Sequence, residues 1–397
     1  MDIELAQENK AMKYDFDKII DRKNTNSSKW DTTKDEVLPM WVADMDFEVA
    51  PKIIKTIINK AKHGVFGYPI VPEKFYDAEI NWWKKRYNYH IKKEWISQVI
   101  GVVPSLSAII QAFCQKGDKV LVQHPVYHVF DAVIQKNELE VATNDLIYEN
   151  GRYKIDFEDF ENKVKDEKVK LFILCNPHNP VGRVWDKDEL RQMGELCIKH
   201  NVIVLSDEIH RDLVYKNYKY TPFCSINEEF LQNSITCTAP SKTFNIAGLK
   251  ASSIIVANEN YKQKIDKVLN QNILSSINIF GIEAFITAYE SCEDWLDELL
   301  IYLEKNKDYL ISFIDKNLPK LKVVEPEATY LLWLDISKLN INSKLLAKKL
   351  EDLGKLRIIP GIVYGENGDN FIRINIACPL EVLKDGLKRL ENGIKLL

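Results

Sequence analysis

The sequence predicts an α/β protein in which a large domain holds a mostly parallel sheet and a smaller domain is of the α+β kind. From about residue 98, short apolar runs alternate with helical patterns, as expected for a parallel sheet covered on both faces. Beyond about residue 290 the pattern changes to longer helices with a few strands. A chain of 397 residues also exceeds the length at which a single core usually divides. We expect an N-terminal arm with part of the small domain over residues 1–48, the large domain over 49–288 and the small C-terminal domain over 289–397.

The chain is predicted to begin with an arm, an extended segment and two helices. Residues 1–36 are polar and charged with scattered aromatic side chains, a composition that indicates an arm rather than a core element. Residues 39–47 form an extended apolar segment with two aspartates near its end. Isoleucines at helical spacing predict a helix over 52–62, and a second helix is expected over 73–86. The turn-rich stretch 65–69 separates these two helices.

Apolar runs predict the strands, and the ends of these strands locate the candidate site. Ligands of open parallel sheets bind at the carboxyl ends of the strands, so the polar residues that follow each run are the candidates. The predicted strands of the large domain are 119–123, 169–175, 202–206, 234–238 and 252–257, and those of the small domain are 329–335 and 370–375.

Composition and charge exclude several classes of function. A formal net charge of -4 leaves no basic excess to neutralise phosphates, so a general nucleic-acid binder is not expected. No apolar run reaches membrane-spanning length, and the N-terminal residues are acidic where a signal peptide needs a basic start. We therefore expect a cytoplasmic protein. Seven cysteines without a Cys-x-x-Cys pair indicate reduced thiols rather than disulfides or a structural zinc.

Lys242 is the candidate around which the other polar residues are arranged. It lies in the stretch 238–250, in a turn between small and hydroxyl residues that leave its amine open to a ligand. A lysine that is partly desolvated, or next to another cation such as Lys250, can lose its proton near neutral pH and form a Schiff base with an aldehyde. With 54 lysines and arginines in the chain, a lone lysine is most often a solvated surface group, so the neighbouring motifs decide the interpretation.

Other motifs at the strand ends also have purely structural interpretations. The Asn-Pro pair at Asn179 is a common turn initiator, and Asp207 alone suits the cap of a helix. His124 and His128 are four residues apart, which on a helix suggests a metal pair. Pro125 disfavours a helix there, so we expect no metal site.

Taken together, the motifs resemble the pyridoxal-phosphate-dependent enzymes of fold type I, aminotransferase class I/II, across nearly the whole chain. The resemblance rests on several motifs in the right order, each of which alone would be weak: Tyr127, Asn179-Pro-x-Gly182, Asp207, Lys242 and Arg373. It implies the fold-type I architecture, with residues 49–288 as the domain that binds pyridoxal 5'-phosphate. Family members send a tyrosine into the neighbouring subunit's site, so the resemblance also implies a homodimer with shared active sites, in which Tyr68 is that tyrosine.

The resemblance assigns roles at the cofactor. Lys242 would bind the cofactor covalently and move the α-proton of the substrate, and Asp207 would pair with the pyridine nitrogen. Asn179 would hydrogen-bond the 3-oxygen of the ring, and Tyr127 would stack on its face. The catalytic residues are thus predicted to be Lys242, Asp207 and Tyr127. The phosphate would be held at a helix N-terminus and by two side chains: the amides of Ser105 and Leu106, with Ser241 and Lys250.

The substrate is expected to lie against Arg373. By the same resemblance, this guanidinium would grip the α-carboxylate in a bidentate fork, with the backbone of Ala43 and the side chain of Asn179 close by. The identity of the preferred substrate would depend on side chains whose packing the sequence does not determine, near Trp41, Tyr364 and residues 271–280.

Three departures from the wider family are informative. Most class I enzymes have an arginine eight residues after the lysine, whereas this chain has Lys250, a point charge without the fork. The serine usually found three residues before the lysine is Ala239, so Ser241 or Thr238 would substitute for it. The position three after the aspartate, usually tyrosine, is His210, which would either contact the cofactor or support the loop through hydrogen bonds.

One branch of the superfamily shares a more specific combination of motifs. The stretches 40–47, 101–107, 207–210, 242–249 and 372–379 are similar to the MalY/PatB type of carbon-sulfur lyase, commonly called cystathionine β-lyase. This implies β-elimination from cystathionine or related cysteine S-conjugates, giving a thiol, pyruvate and ammonia. The sequence leaves two alternatives open: an aminotransferase acting on an L-amino acid and a 2-oxo acid, and a regulatory protein that contacts a transcription factor. The complete set of cofactor residues argues against a purely binding role.

Overall fold

The computed structural model of the chain describes residues 12–397. The acidic N-terminal residues and the first part of the predicted arm lie outside this range. Within it the α-helices are Pro51–His63, Glu73–Tyr87, Val102–Phe113, Val129–Lys136, Phe157–Val164, Lys187–Lys199, Glu228–Gln232, Glu259–Gln271, Ile279–Ser291, Glu293–Asn317, Ser343–Asp352 and Leu380–Lys395. Among the described residues, no helix combines the length and the apolar character that a membrane crossing requires.

A seven-stranded sheet forms the centre of the larger part of the chain. Its order is Ile96–Val99, Ser252–Ile255, Ser234–Thr238, Ile203–Asp207, Val169–Cys175, Lys119–Val122 and Glu140–Thr143. The last five of these strands pair in parallel, and Ser252–Ile255 is antiparallel to both of its neighbours. The prediction of an α/β fold with a mostly parallel sheet is confirmed.

The hydrophobic pattern missed only the two strands at the edges of this sheet. Ile96–Val99 contains a serine and a glutamine, and Glu140–Thr143 is exposed or half-buried along its length. Incomplete cover explains the missing apolar run of Glu140–Thr143, whereas Ile96–Val99 is mostly buried and was missed because two of its four residues are polar.

Helices cover both faces of the sheet. Along the strand Val169–Cys175, Leu171 and Ile173 belong to an apolar cluster with the helices Val102–Phe113 and Glu259–Gln271. The intervening Phe172 and Leu174 belong to a second cluster with Phe157–Val164 and Lys187–Lys199. Because successive side chains of a strand point to opposite faces, both faces need apolar residues, and this explains the uninterrupted runs in the sequence.

The C-terminal part is a smaller α+β unit. Its antiparallel sheet has the order Lys322–Val323, Leu331–Asp335, Phe371–Asn375 and Ile359–Pro360. Two short pairs complete the strands: Leu38–Pro39 with Leu356–Arg357, which ties the N-terminal segment to this unit, and Ile147–Glu149 with Arg152–Lys154. The domain boundaries near residues 48 and 288 stay a prediction.

The N-terminal arm contributes to the core, contrary to expectation. The side chain of Phe16 is buried, and its ring packs edge-on against Phe47 and Trp295. Lys29 is also buried, where its amine lies 2.6 Å from the Asp46 carboxylate. The sequence prediction failed here because isolated apolar residues in a polar stretch give no periodic signal, although a single aromatic side chain buries a large area.

Candidate active site

The candidate site lies at the carboxyl ends of the parallel strands. Asp207 ends its strand between two cysteines, paired with Cys175 on one side and Cys237 on the other. A cavity of about 500 Å³ opens beside it. The cavity brings together most residues that the sequence singled out: Ala43, Tyr127, Asn179, Asp207, His210, Ser241, Lys242 and Lys250. Segments far apart in the chain therefore converge on one pocket, as expected for an open parallel sheet.

Lys242 is held in the turn that follows the strand Ser234–Thr238. Its Nζ donates a hydrogen bond of 2.7 Å to the carbonyl oxygen of Ala43, which also accepts one of 3.1 Å from the Tyr330 hydroxyl. Burial, and then the positive charge of Arg373, lower the pKa of Lys242 to about 8. Lys250, the cation expected from the sequence, contributes less to this pKa than Arg373 does. The amine thus has a substantial unprotonated, nucleophilic fraction near neutral pH.

Asp207 is a buried carboxylate with a single hydrogen-bond donor, the backbone N–H of Ile209 at 3.1 Å. A turn rather than a helix follows it, so the alternative of a helix cap does not apply. Burial raises the pKa of Asp207 to about 7, opposed by the Ile209 N–H and by the Lys242 charge. A buried carboxylate of this kind is stabilised by a cationic donor such as a protonated ring nitrogen.

Arg373 is a buried guanidinium, 4% exposed, that borders the cavity through Asn179. Its Nη1 donates to Asn179 Oδ1 at 3.0 Å and its Nη2 to the Trp41 carbonyl at 2.9 Å. Its Nε is buried without a hydrogen-bond partner, and no carboxylate among residues 12–397 pairs with this cation. The guanidinium lies 5.1 Å from the centre of the Tyr364 ring. An anionic ligand would complete this arrangement.

His210 faces the cavity as a neutral imidazole. The side chain is 3% exposed, and burial, with the charges of Lys242 and Arg373, lowers its pKa to about 3. Its ring packs edge-on against Tyr330, with 6.3 Å between the ring centres. Nδ1 is buried and has no hydrogen-bond partner among residues 12–397. If His210 supported its loop, this nitrogen would take part in a hydrogen bond within the described chain, and it does not. Contact with a ligand therefore agrees better with the structure than support of the loop.

The backbone amides predicted to bind the phosphate, those of Ser105 and Leu106, lie beyond the residues of their helix that line the cavity. The helix Val102–Phe113 begins after Gly101, and the cavity is lined by residues 101–104. The N–H and the hydroxyl of Ser105 both donate to the Gly101 carbonyl, at 3.2 and 2.8 Å, and Leu106 is buried in the next part of the helix. Only the first turn of a helix has free amides and Pro104 has none, so the free amides of this helix at the cavity are those of Val102 and Val103.

Two hydroxyl residues, Ser241 and Thr238, were candidates for the place of the missing serine, and their surroundings differ. Thr238 is buried and donates to a carboxylate oxygen of Glu79 at 2.8 Å, whereas Ser241 lines the cavity with Ala239 and Lys250. Ser241 is therefore the hydroxyl available to a ligand. Sequence reasoning did not single out three further polar residues of the wall, although two of them fall in the segment 271–280 expected near the pocket: Ser252, Ser276 and Asn278.

Two sets of predicted residues lie outside the cavity. Tyr68 belongs to an exposed loop between two helices, and its neighbours Val65, Phe66 and Ile70 are exposed as well. The two histidines of the metal alternative have separate partners. His124 Nε2 lies 3.0 Å from the Asp131 carboxylate, and the His128 ring packs against Tyr364.

The donor set suits pyridoxal phosphate, the cofactor that the sequence implies. One group of residues offers an amine for an aldehyde, a buried carboxylate for a protonated ring nitrogen and an aromatic ring: Lys242, Asp207 and Tyr127. Another group offers helix N-terminal amides, a hydroxyl and a cation for a phosphate dianion: Val102, Val103, Ser241 and Lys250. The unpartnered His210 nitrogen adds a polar atom that a ligand can satisfy.

Comparison with known proteins shows which of them the chain is similar to. The family model for aminotransferase class I and II matches residues 35–390. The chain is 44% identical over 384 residues to the cystathionine β-lyase PatB of Bacillus subtilis, an alignment that covers 96% of this chain and 99% of that protein. It is 33% identical over 389 residues to protein MalY of Escherichia coli, covering 96% and 99%. The crystal structure of cystalysin from Treponema denticola, which contains pyridoxal 5'-phosphate, superposes with a TM-score of 0.94 at 35% identity, covering 97% and 99%.

Proposed function

The chain belongs to the aminotransferase class I and II family, and we propose that it is a pyridoxal-phosphate-dependent carbon-sulfur β-lyase of fold type I. The reaction takes L-cystathionine or a related cysteine S-conjugate and water, and gives a thiol, pyruvate and ammonia. The enzyme resembles the cystathionine β-lyases over almost its full length. One observation supports the proposal most strongly. The lowered-pKa amine of Lys242, the Asp207 carboxylate and the Asn179 amide line one cavity, and Arg373 contacts that cavity through Asn179.

The cofactor is held by residues of both groups described above. Pyridoxal phosphate, when bound, supplies an aldehyde for covalent attachment of amines and a ring that accepts the electrons of a bond broken at the α-carbon. Asp207 would keep the ring nitrogen protonated, Asn179 and His210 would offer polar groups to the ring, and Tyr127 would offer an aromatic face to it. The first-turn amides of Val102–Phe113, with Ser241 and Lys250, would hold the phosphate.

Protein side chains orient the substrate and move its proton. Arg373 binds the α-carboxylate through its guanidinium fork, which fixes the bond at the α-carbon that is presented for cleavage. The neutral Lys242 amine takes the proton from the α-carbon, and the electron pair of that bond expels the thiolate from the β-carbon. An aminotransferase shares the proton removal and differs in where the proton is returned, so the leaving group on the substrate decides the outcome.

A direct assay tests the function. The holoenzyme is mixed with L-cystathionine in the absence of any 2-oxo acid, and pyruvate, ammonia and free thiol are measured together. We expect equimolar release of all three. If none is released although amino acids alter the cofactor spectrum, and a new amino acid forms when a 2-oxo acid is added, the enzyme is an aminotransferase and the lyase proposal is wrong.

The lowered pKa of Lys242 predicts the pH dependence of cofactor capture. A neutral amine reacts with the aldehyde, and the neutral fraction rises as the pH increases through the pKa of about 8. A solvated lysine would react in this way only near its usual pKa of about 10.4. We expect the rate at which cofactor-free protein develops the visible absorption of bound pyridoxal phosphate to rise with pH and to level off above about pH 8. A rate still rising steeply at pH 10 would contradict this assignment.

We also propose a homodimer in which Tyr68 enters the partner's active site. The loop that bears Tyr68 exposes a run of large apolar side chains, Val65, Phe66 and Ile70, and exposed apolar patches of this kind mark interfaces. The ring of Phe66 packs on Phe280, 5.6 Å between centres, next to the cavity residues Ser276 and Asn278. The exposed loop is therefore continuous with the rim of the cavity, where a second subunit would complete the wall.

Mixed dimers test the shared site. Tyr68→Ala and Lys242→Ala are each expected to be inactive as homodimers. If the two variants are unfolded and refolded together, hybrid dimers contain one site with both native residues, and about a quarter of the wild-type activity should return. If the two residues belonged to the same subunit's site, no activity would return in the mixture. Mixing either variant with itself in the same procedure gives the control.

We further propose that the protein acts in the cytoplasm. All seven cysteines are free, and six of them are buried. Seven free thiols without a disulfide are typical of a protein in a reducing compartment such as the cytoplasm. Cell fractionation followed by detection of the chain checks the assignment, and recovery of the protein from a secreted fraction would contradict it.

A further inference from the structure

The segment 41–47 connects the two residues that meet the substrate. Its Ala43 carbonyl accepts the hydrogen bond from Lys242 Nζ, 2.7 Å, and its Trp41 carbonyl accepts the one from Arg373 Nη2, 2.9 Å. These two carbonyls are only two residues apart along the chain, whereas Lys242 and Arg373 come from different parts of the fold. The position of this one segment thus relates the amine to the guanidinium.

Asn245 holds the segment from the lysine side. It lies three residues after Lys242 in a left-handed conformation, with φ of 57°. Its Nδ2 donates to the carbonyls of Met45 and Phe47 at 3.0 and 3.1 Å, and its Oδ1 accepts from the Met45 N–H at 3.0 Å. The side-chain amide thus pairs with Met45 in both directions and fixes the distance between the Lys242 turn and the segment.

Asn375 holds the segment from the arginine side. It lies two residues after Arg373 on the same strand, so both side chains point to the same face. Its Nδ2 donates to the carbonyls of Val42 and Asp44, at 2.6 Å each, and these two residues flank Ala43. Its Oδ1 accepts from the N–H of Ala377 at 2.7 Å, and the side chain is 2% exposed.

Side-chain amides are suited to this task by their chemistry. The segment belongs to no helix or strand, so its backbone groups need partners from elsewhere. An asparagine provides two donors and an acceptor in a rigid plane without adding charge beside Lys242 and Arg373. The end of the segment is anchored separately, because the Asp46 carboxylate binds Lys29 at 2.6 Å and Trp30 Nε1 at 2.9 Å. Removing one asparagine should therefore loosen the segment locally rather than release it.

We propose that Asn245 and Asn375 are positioning residues that hold the segment 41–47 in one place and thereby fix the Lys242 amine relative to the Arg373 guanidinium. The proposal rests on the roles proposed above for those two residues. The substrate's carboxylate and its α-hydrogen are separated by a fixed distance, so both groups can be engaged at once only if the amine and the guanidinium keep a matching separation. A misplacement of about 1 Å is enough to lower the efficiency of a reaction by about 100-fold.

Asn306 provides a matched control. It is 0% exposed, and its Nδ2 likewise donates to two backbone carbonyls, those of Ile376 and Cys378, at 2.9 and 2.8 Å. These bonds lie within the C-terminal part of the chain and none of their acceptors belongs to the segment 41–47, although Ala377, between the two acceptors, accepts from the Asp46 N–H at 2.9 Å. Asn306→Ala and Asn375→Ala should therefore lower the thermal stability to a similar degree, and only Asn375→Ala should disturb the recognition of a carboxylate.

The experiment measures the binding of two probes to the holoenzymes through the change in cofactor absorbance. L-alanine has the α-carboxylate but no leaving group, and ethylamine lacks the carboxylate. In the wild type and in Asn306→Ala, L-alanine should bind more tightly than ethylamine by the same ratio. In Asn375→Ala this ratio should fall by about 10-fold to 100-fold, with little change for ethylamine itself. The Michaelis constant for L-cystathionine should rise in parallel.

A second variant tests the lysine side. Asn245→Gly removes the side chain and retains a residue that adopts the left-handed conformation readily. It should shift the pH at which cofactor capture levels off and weaken L-alanine binding. Because both asparagines act through one segment, the losses in the double variant with Asn375→Ala should be smaller than the product of the single losses. Losses that multiply would show that the two residues act independently and would overturn the proposal.

The outcomes separate this inference from the proposed function. If the wild type prefers L-alanine to ethylamine and Asn375→Ala retains the same ratio as Asn306→Ala, the positioning role is wrong and the function is untouched. If the wild type shows no such preference, the role of Arg373 fails and the inference fails with it. Absence of cystathionine cleavage with an intact preference would remove the lyase assignment alone, because neither probe undergoes elimination.

Discussion

Replacing Lys242 by alanine is expected to abolish turnover and the visible absorption of the bound cofactor. The amine is the only lysine nitrogen that combines a place in the wall beside Asp207 with a pKa lowered to about 8, within the described chain. A positioned general base alone contributes about 100-fold to 10,000-fold, and the variant also loses the covalent attachment. The rate of pyruvate release should therefore fall by about 10,000-fold or more. Stopped assays of pyruvate and an absorbance spectrum of the purified protein measure both effects.

Two other lysines serve as controls for this result. Lys262→Ala removes an amine that binds Asp266 at 2.7 Å and lies away from the cavity, so it should leave both the spectrum and the rate unchanged. Lys250→Ala should weaken the retention of the cofactor while the visible absorption at saturating cofactor persists. A Lys242→Ala protein that still eliminates at near the wild-type rate would show that another lysine carries the chemistry.

Removing Arg373 is expected to have the second-largest effect, and to act mainly on substrate binding. In Arg373→Ala the substrate carboxylate loses its guanidinium, and the loss of one partner of a buried charge pair costs ~2 to 5 kcal/mol. The Michaelis constant for L-cystathionine should rise by roughly 30-fold to 4,000-fold, the factor that corresponds to this free energy. Steady-state kinetics and titration with L-alanine measure it, and an unchanged Michaelis constant would remove Arg373 from the substrate site.

A lysine at position 373 separates the contribution of the positive charge from that of the two parallel hydrogen bonds of the guanidinium. Arg373→Lys keeps the charge but loses the bidentate geometry, so its Michaelis constant should fall between those of the wild type and Arg373→Ala. Arg389→Ala is the matched control, because Arg389 is another arginine of the C-terminal part whose Nη1 donates to two backbone carbonyls, of Glu36 and Lys355 at 2.8 Å each. It should change the stability and leave the Michaelis constant unaltered.

The hydrophobic pattern of the sequence predicted the buried strands of the large sheet, but it missed an edge strand and a buried residue of the N-terminal arm. The buried strands Val169–Cys175 and Ser234–Thr238 coincide with uninterrupted apolar or small-residue runs. The edge strand Glu140–Thr143 and the buried Phe16 left no such pattern. Periodicity reports the average environment of a segment, so it misses elements that are covered on one side only or by a single side chain.

For the site, side chains with distinctive chemistry were predictable and backbone groups were not. Lys242, Asp207, Asn179 and Tyr127 line the cavity as expected, because their order in the chain identifies the family and the family fixes their loops. The sequence pointed to the amides of Ser105 and Leu106, whereas the free amides at the cavity are those of Val102 and Val103. Every residue except proline carries the same N–H, and only the first turn of the helix leaves it free.

The sequence by itself thus determined the α/β fold class, the family and most side chains that line the candidate site, since hydrophobic periodicity and the order of motifs are properties of the chain. Only the tertiary structure decided how these groups are held. The contacts of Lys242 with Ala43, of Arg373 with Trp41, and of Asn375 with the carbonyls beside Ala43 join residues about 200 to 330 positions apart. Their acceptors are backbone oxygens, which all residues possess, so the identity of a residue does not reveal which carbonyl a folded neighbour will reach.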